Sequence, residues 1–166
     1  MMPQLAAPAS AVRFHEELFA YWSSCREAGR LPGRAHIDPC QFKRHLPTVS
    51  LIDVAWEPRE YRLRLAGTGL YGVYGREITG KRLDDVYSPD AADYWRTELG
   101  KVVEGGRPAV GFHSMAWRGA AHMSILWIRL PLASDGERVD MILGYDAPVG
   151  LGADAFSALN TGIRAA

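Results

Sequence analysis

Residues 61–75, YRLRLAGTGLYGVYG, constrain the fold more than any other stretch, because the chain changes period inside them. Tyr61, Leu63 and Leu65 alternate with Arg62 and Arg64, which puts the apolar side chains on one face of a strand and the arginines on the other. Gly67-Thr68-Gly69 ends that alternation, and residues 70–75 carry too much glycine for a long helix. The pattern predicts a core strand that turns into a short helical cap, one wall of a small cavity. It also suits an ordinary strand end followed by a tight turn.

The rest of the chain sorts around this stretch. Ser10 is a candidate N-cap for a helix to residue 27, with Phe14, Leu18, Tyr21 and Cys25 at helical spacing and Val12, Phe19 and Trp22 widening the stripe. So apolar a helix must pack on its own sheet or on a second subunit. Asp38-Pro39 predicts a short helix to residue 45. Residues 48–56, TVSLIDVAW, read as a central strand and pair antiparallel with the strand at Tyr61. Residues 83–87 suit one helical turn. Ser88-Pro89-Asp90 opens a helix carrying Ala92, Trp95, Leu99, Val102 and Val103, ended by Gly105-Gly106. Three strands follow, over residues 109–117, 122–132 and 139–147, then a tail with a weak helix at 154–159.

At 166 residues this is one domain with appendages, large enough to bury a core without staples. The 19 basic and 19 acidic residues balance, which removes the electrostatic case for nucleic acid or an anionic membrane. No apolar run is long enough to span a bilayer, and the first ten residues lack the plan of a secretory signal. Two cysteines are too few for a disulfide framework. The expectation is a soluble, cytoplasmic protein.

Hairpin, helical insertion and three-stranded meander give an α+β domain. It is a five-stranded antiparallel sheet with helices over one face and an extra N-terminal helix. That order resembles the PAS sensory fold, and the motifs resemble its bacterial type 5 branch. They are Tyr21-Trp22, Gly29-Arg30, Pro32-x-Arg34, Ile37-Asp38-Pro39 and Leu46-Pro47. Leu51-x-Asp53-Val54, Arg62-x-Arg64-Leu65-x-Gly67-Thr68, Gly75-x-Glu77-x-Thr79-Gly80 and Pro131-Leu132 complete the set. Together they run from about residue 20 to 147. His36 departs from the pattern, which carries an acid there. The resemblance divides the chain into a disordered N-terminus (1–10), a helical extension (11–46), a PAS-like core (47–148) and a tail (149–166).

The resemblance implies a stand-alone sensory or signalling domain. It would bind a small ligand non-covalently between sheet and cap, or a protein partner, and report through a changed dimer or interdomain contact. No flavin–cysteine adduct is expected, because Cys25 and Cys40 precede the first core strand. No haem is expected either, because residues 88–104 contain no histidine. Candidate pocket residues are Leu65, Tyr71, Tyr74, His113, Met115, Met123, Trp127 and Tyr145, with strand phase deciding which face each occupies. Arg62 and Arg64 are expected in salt bridges on the outer surface, and Arg34 with Asp38 in a structural pair.

Two other readings compete. A small-molecule-processing enzyme could use His113 and His122 with Asp53 or Asp146, although no catalytic motif with a fixed signature is present. A ligand-free interaction module would have a side-chain-filled core. Cys25, His36, Cys40 and His45 lack the tight spacing of structural zinc sites, so no metal is expected. The wide stripe of the first helix predicts a homodimer through it, and an unidentified signalling protein is the other expected partner.

Overall fold

Residues 48–66 form a hairpin because two runs of strand-forming residues flank a Pro58 turn. In the computed structural model, which describes residues 3–150 and residue 163, β1 (Val49–Trp56) pairs antiparallel with β2 (Arg59–Ala66). β3 (Ala109–Met115), β4 (Ala120–Leu132) and β5 (Met141–Val149) make the expected meander. β1 joins it through β5, with Val49 opposite Tyr145 and Ile52 opposite Ile142. The sheet order is β2-β1-β5-β4-β3. β5 is thus central, and its residues 142–149 are all buried.

One face carries the cap: α2 (Leu70–Tyr74), α3 (Leu83–Val86) and α4 (Pro89–Gly105). α4 buries Trp95, Leu99, Val102 and Val103 at helical spacing and ends at Gly106, whose φ of 59° lies in the left-handed region. The other face carries α1 (Pro8–Ser24) and a 3₁₀ segment, Pro39–Thr48, capped by Asp38, whose carboxylate accepts the Cys40 N–H at 3.0 Å. Phe14, His15, Leu18 and Trp22 are buried there, and Trp22 donates its indole N–H to the Pro131 carbonyl at 2.9 Å. Part of the stripe that predicted a homodimer thus packs on the chain's own sheet, while Val12, Phe19, Tyr21 and Cys25 stay half-buried.

Several boundaries differ from expectation. α1 begins at Pro8, with Ala7 as N-cap, because proline presets the first helical φ. Ser10 lies inside the first turn, and residues 8–10 are helical rather than a disordered N-terminus. The helix stops at Ser24, since Ala28 and Gly29 both take positive φ. Arg34 does not pair with Asp38: its guanidinium donates to the Ile37 carbonyl at 3.0 Å, and Asp38 is taken by its capping role and Gln41. His36 accepts the Gly33 N–H at 2.9 Å through Nδ1, an acceptor's task that a carboxylate would also serve. The helix expected at 154–159 falls outside the described residues.

Candidate functional site

Two opposite charges interrupt the most apolar strands of the chain. Arg129 stands in β4 and Asp146 in β5, and Asp146 pairs across the ladder with Trp127. Trp127 and Arg129, two residues apart, share one face with Asp146. Arg129 Nη1 lies 2.8 Å from Asp146 Oδ1, with 2% of each side chain exposed. The two form a buried ion pair, and Arg129 Nε has no hydrogen-bond partner. Removing two charges from water is costly unless further contacts compensate. They come from both layers. Tyr74 of α2 donates its hydroxyl to Asp146 Oδ2 at 2.8 Å, and Tyr87 donates to Tyr74 at 3.2 Å. The Arg129 guanidinium lies over Trp95 of α4 at 4.6 Å and donates to the Ile128 carbonyl at 3.0 Å.

An aromatic shell surrounds the pair. Trp95 and Trp127 approach to 5.1 Å between ring centroids, Tyr87 and Trp117 to 5.3 Å, and His113 stacks on Tyr94 at 4.1 Å. Two strand glycines make room for it. A Cβ on Gly111 would fall 2.1 Å from the Trp127 ring, and one on Gly144 would fall 3.1 Å from Arg129 Nη1 and 2.6 Å from Ser50 Oγ. No side chain larger than hydrogen fits at Gly111 with the indole in place.

Burial sets the protonation of this shell. It pushes the Tyr74 phenol well above its ordinary value, reinforced by the Asp146 charge, and raises Tyr87 in the same way. Tyr94 is pushed up to about 12, burial again being the largest cause. All three phenols keep their protons at neutral pH. Burial works against the Arg129 charge, but Asp146 more than offsets it and holds the guanidinium above its ordinary value. Burial lowers His113, with Asp146 opposing.

Four buried polar atoms of this cluster have no hydrogen-bond partner: Trp95 Nε1, Trp117 Nε1, Arg129 Nε and His113 Nδ1. Three are donors, and His113 Nδ1 serves as either donor or acceptor. Such atoms are rare in folded proteins, and here they concentrate under the cap.

Of the residues predicted from sequence, Tyr74, His113 and Trp127 meet in this cluster. Met115 and Met123 are fully buried. Tyr145 points the other way, against Phe14 and His15 of α1. Tyr71 is 57% exposed on the outside of the cap, and Leu65 is 48% exposed on the opposite sheet face. A register shift after Leu51 turns Leu65 out, opposite Leu51, while Leu63 stays inward opposite Ile52. Sequence reasoning missed Arg129, Tyr87, Trp95, Tyr94 and Trp117. The available signal was a lone arginine and a lone aspartate inside runs otherwise apolar.

Of the groups in the enzyme reading, His113 shares the buried cluster with Asp146, whereas His122 and Asp53 lie outside it. His113 stands opposite Ile125, His122 is exposed, and Asp53 pairs with Arg64 at 2.8 Å on the far face. Arg64 and Arg62 are in the expected surface salt bridges. Among the described residues, no group of three or more His, Cys, Asp or Glu side chains is placed to hold a metal ion. No helix among them is long and apolar enough to cross a membrane.

No curated protein matches the sequence. Among solved structures, the PAS domain of BvgS from Bordetella pertussis is similar over 78% of this chain and 100% of its own, at 15% identity and a TM-score of 0.51. The RsLOV d2 variant is similar over 76% of each chain, at 17% identity and a TM-score of 0.50. The LOV protein of Rhodobacter sphaeroides also covers 76% of each chain, at 16% identity and a TM-score of 0.48. At such identities the likeness speaks to fold alone. The match that reaches the family is a profile described as a PAS domain, the type 5 form, which takes in residues 11–146. It takes in most of the helix on the outer face and β5 as far as Asp146, and on that match the chain belongs to the type 5 PAS domain family.

Proposed function

We propose that this domain is a sensory or signalling module that takes a small polar molecule, non-covalently, at the Arg129–Asp146 cluster beneath its cap. One observation carries the reading: four buried, unpartnered polar atoms lie on one contiguous aromatic cluster. Their chemistry describes the ligand as compact, offering more hydrogen-bond acceptors than donors. Residues 70–105 contain neither cysteine nor histidine, so the ligand is held by hydrogen bonds and stacking, without a thiol adduct or an α4 axial ligand. His113 then serves as a contact rather than a catalytic base.

Occupancy reaches the surface through the cap. Tyr74 and Trp95 tie α2 and α4 to the buried charges, and Arg118 holds the Gly72 and Val73 carbonyls. A ligand that redirects these contacts shifts the outward faces of α2 and α4, which a signalling protein or a second copy could read. A dimer through α1 would use only its half-exposed Val12, Phe19 and Tyr21.

The second reading is a ligand-free interaction module, favoured by the three indoles and three phenols packed together under the cap. Native mass spectrometry of the protein purified from its own host separates the two. The ligand reading expects a stoichiometric adduct that disappears in Asp146→Leu/Arg129→Met. No adduct, together with no change in cap hydrogen exchange on adding host small-molecule extract, favours the module.

A further inference from the structure

The outer sheet face is not fully covered by α1. Between the 3₁₀ segment and the β1–β2 hairpin lies an open trough of about 550 Å³. Its floor is Val49, Leu51, Leu65 and Leu143, and its walls include Phe42 and Leu46. Leu65 is 48% exposed at this floor, one of few large apolar side chains in the described residues left open to water. The lining contains two charged residues, Arg34 and Lys43, and no acid. Neither cation has a carboxylate within ion-pair distance among the described residues, and Arg34 has only the Ile37 carbonyl as acceptor. Elsewhere on the surface, arginines such as Arg30, Arg62, Arg64 and Arg96 do find acids.

We propose that this trough is a second binding site, distinct from the cap-side cluster, for a small amphipathic carboxylate: an aliphatic body on the leucine floor and an anionic head between Arg34 and Lys43. Volume, apolar floor and unopposed cations argue for it independently. The volume falls within the range of small-ligand sites. Covering the floor removes apolar surface from water, and guanidinium and ammonium groups each pair with a carboxylate by charge-assisted hydrogen bonds. The trough and the cap lie on opposite faces of one sheet, so this inference stands or falls apart from the cap-side ligand.

The test is calorimetric titration with decanoate and with decanol, which share a chain length and differ in head charge. The expected result is saturable one-to-one binding of decanoate, about tenfold tighter than decanol. Arg34→Gln/Lys43→Gln should lose that preference while still binding decanol. Both positions are exposed, so the folded state should persist, and Lys43→Gln alone serves if the double variant does not fold. Leu65→Glu, which places an acid on the floor, should abolish decanoate binding. Absence of decanoate binding to the unmodified protein, or equal affinity for the two probes, overturns the proposal.

Discussion

Arg129 and Asp146 face each other at 2.8 Å on neighbouring central strands, each side chain 2% exposed. This pair organises the cap side of the molecule. Tyr74 reaches Asp146 from α2, and Trp95 lies against Arg129 from α4. Each helix thereby contacts one member of the pair.

Removing one member strands the other. Arg129→Met or Asp146→Leu alone should cost about 3–5 kcal/mol in urea unfolding, because an uncompensated charge remains buried. Arg129→Met/Asp146→Leu should recover most of that loss, since apolar replacement of a buried pair is often near neutral. A double variant as unstable as the sum of the singles would show that the pair is not an energetic unit.

Gly111→Ala should destabilise by about 1–3 kcal/mol through overpacking, with a changed near-ultraviolet circular dichroism signal from the displaced Trp127. Its Cβ would sit 2.1 Å from the indole, whereas one on Gly105 meets nothing within 4 Å. Gly105→Ala, at the end of α4, is therefore the matched control, expected to be neutral or slightly stabilising.

Stability should fall with acid through His15. Its Nδ1 lies 2.7 Å from the Ala11 carbonyl and its Nε2 3.0 Å from the Leu126 carbonyl. A neutral ring has one N–H and satisfies only one of them. Burial dominates the two carbonyls, which favour the charged form, and lowers the pKa from 6.5 to about 4. The unfolded chain therefore binds this proton more tightly. The contribution is complete above pH 6.5 and is lost as pH falls toward 4, amounting to about 3 kcal/mol. Urea midpoints between pH 7 and 4.5 should drop more steeply for the unmodified protein than for His15→Leu. Parallel slopes would remove His15 from the account.

α1 is part of the core. Trp22→Ala should cost about 3–5 kcal/mol by opening a cavity, and Trp22→Phe about 1–3 kcal/mol by removing the donor to the Pro131 carbonyl. Deleting residues 1–28 should give an aggregating chain by light scattering, because the apolar outer face of β4 and β5 loses its cover. A stable, folded monomer after that deletion would return α1 to an appendage.

The hairpin, the meander and α4 were legible in the chain because their signals are local. Val49–Trp56 and Arg59–Ala66 are strand-forming runs separated by a proline turn, and Ser88-Pro89 with Gly106 brackets a helix whose buried residues recur at its own period. Tyr74, His113 and Trp127 were legible as residues of the cap side for the same reason. Leu65 and Tyr145 were not. A register shift after Leu51 moved one to the far face, and Tyr145 follows the pleat that puts its neighbour Asp146 under the cap.

What the sequence by itself determined is therefore the set of elements, their order and, through its motifs, the family. Three things were decided only in the folded molecule. Phe14, Leu18 and Trp22 of the α1 stripe pack on its own sheet, and Val12, Phe19 and Tyr21 stay half-buried. Arg129 and Asp146, 17 positions apart (146 − 129), become an ion pair because β4 and β5 meet in one register. Arg34 and Lys43 are left facing an apolar trough because Asp38 is occupied at the start of the 3₁₀ segment. Each depends on which surfaces meet across long stretches of chain, and local period and propensity carry no information about that.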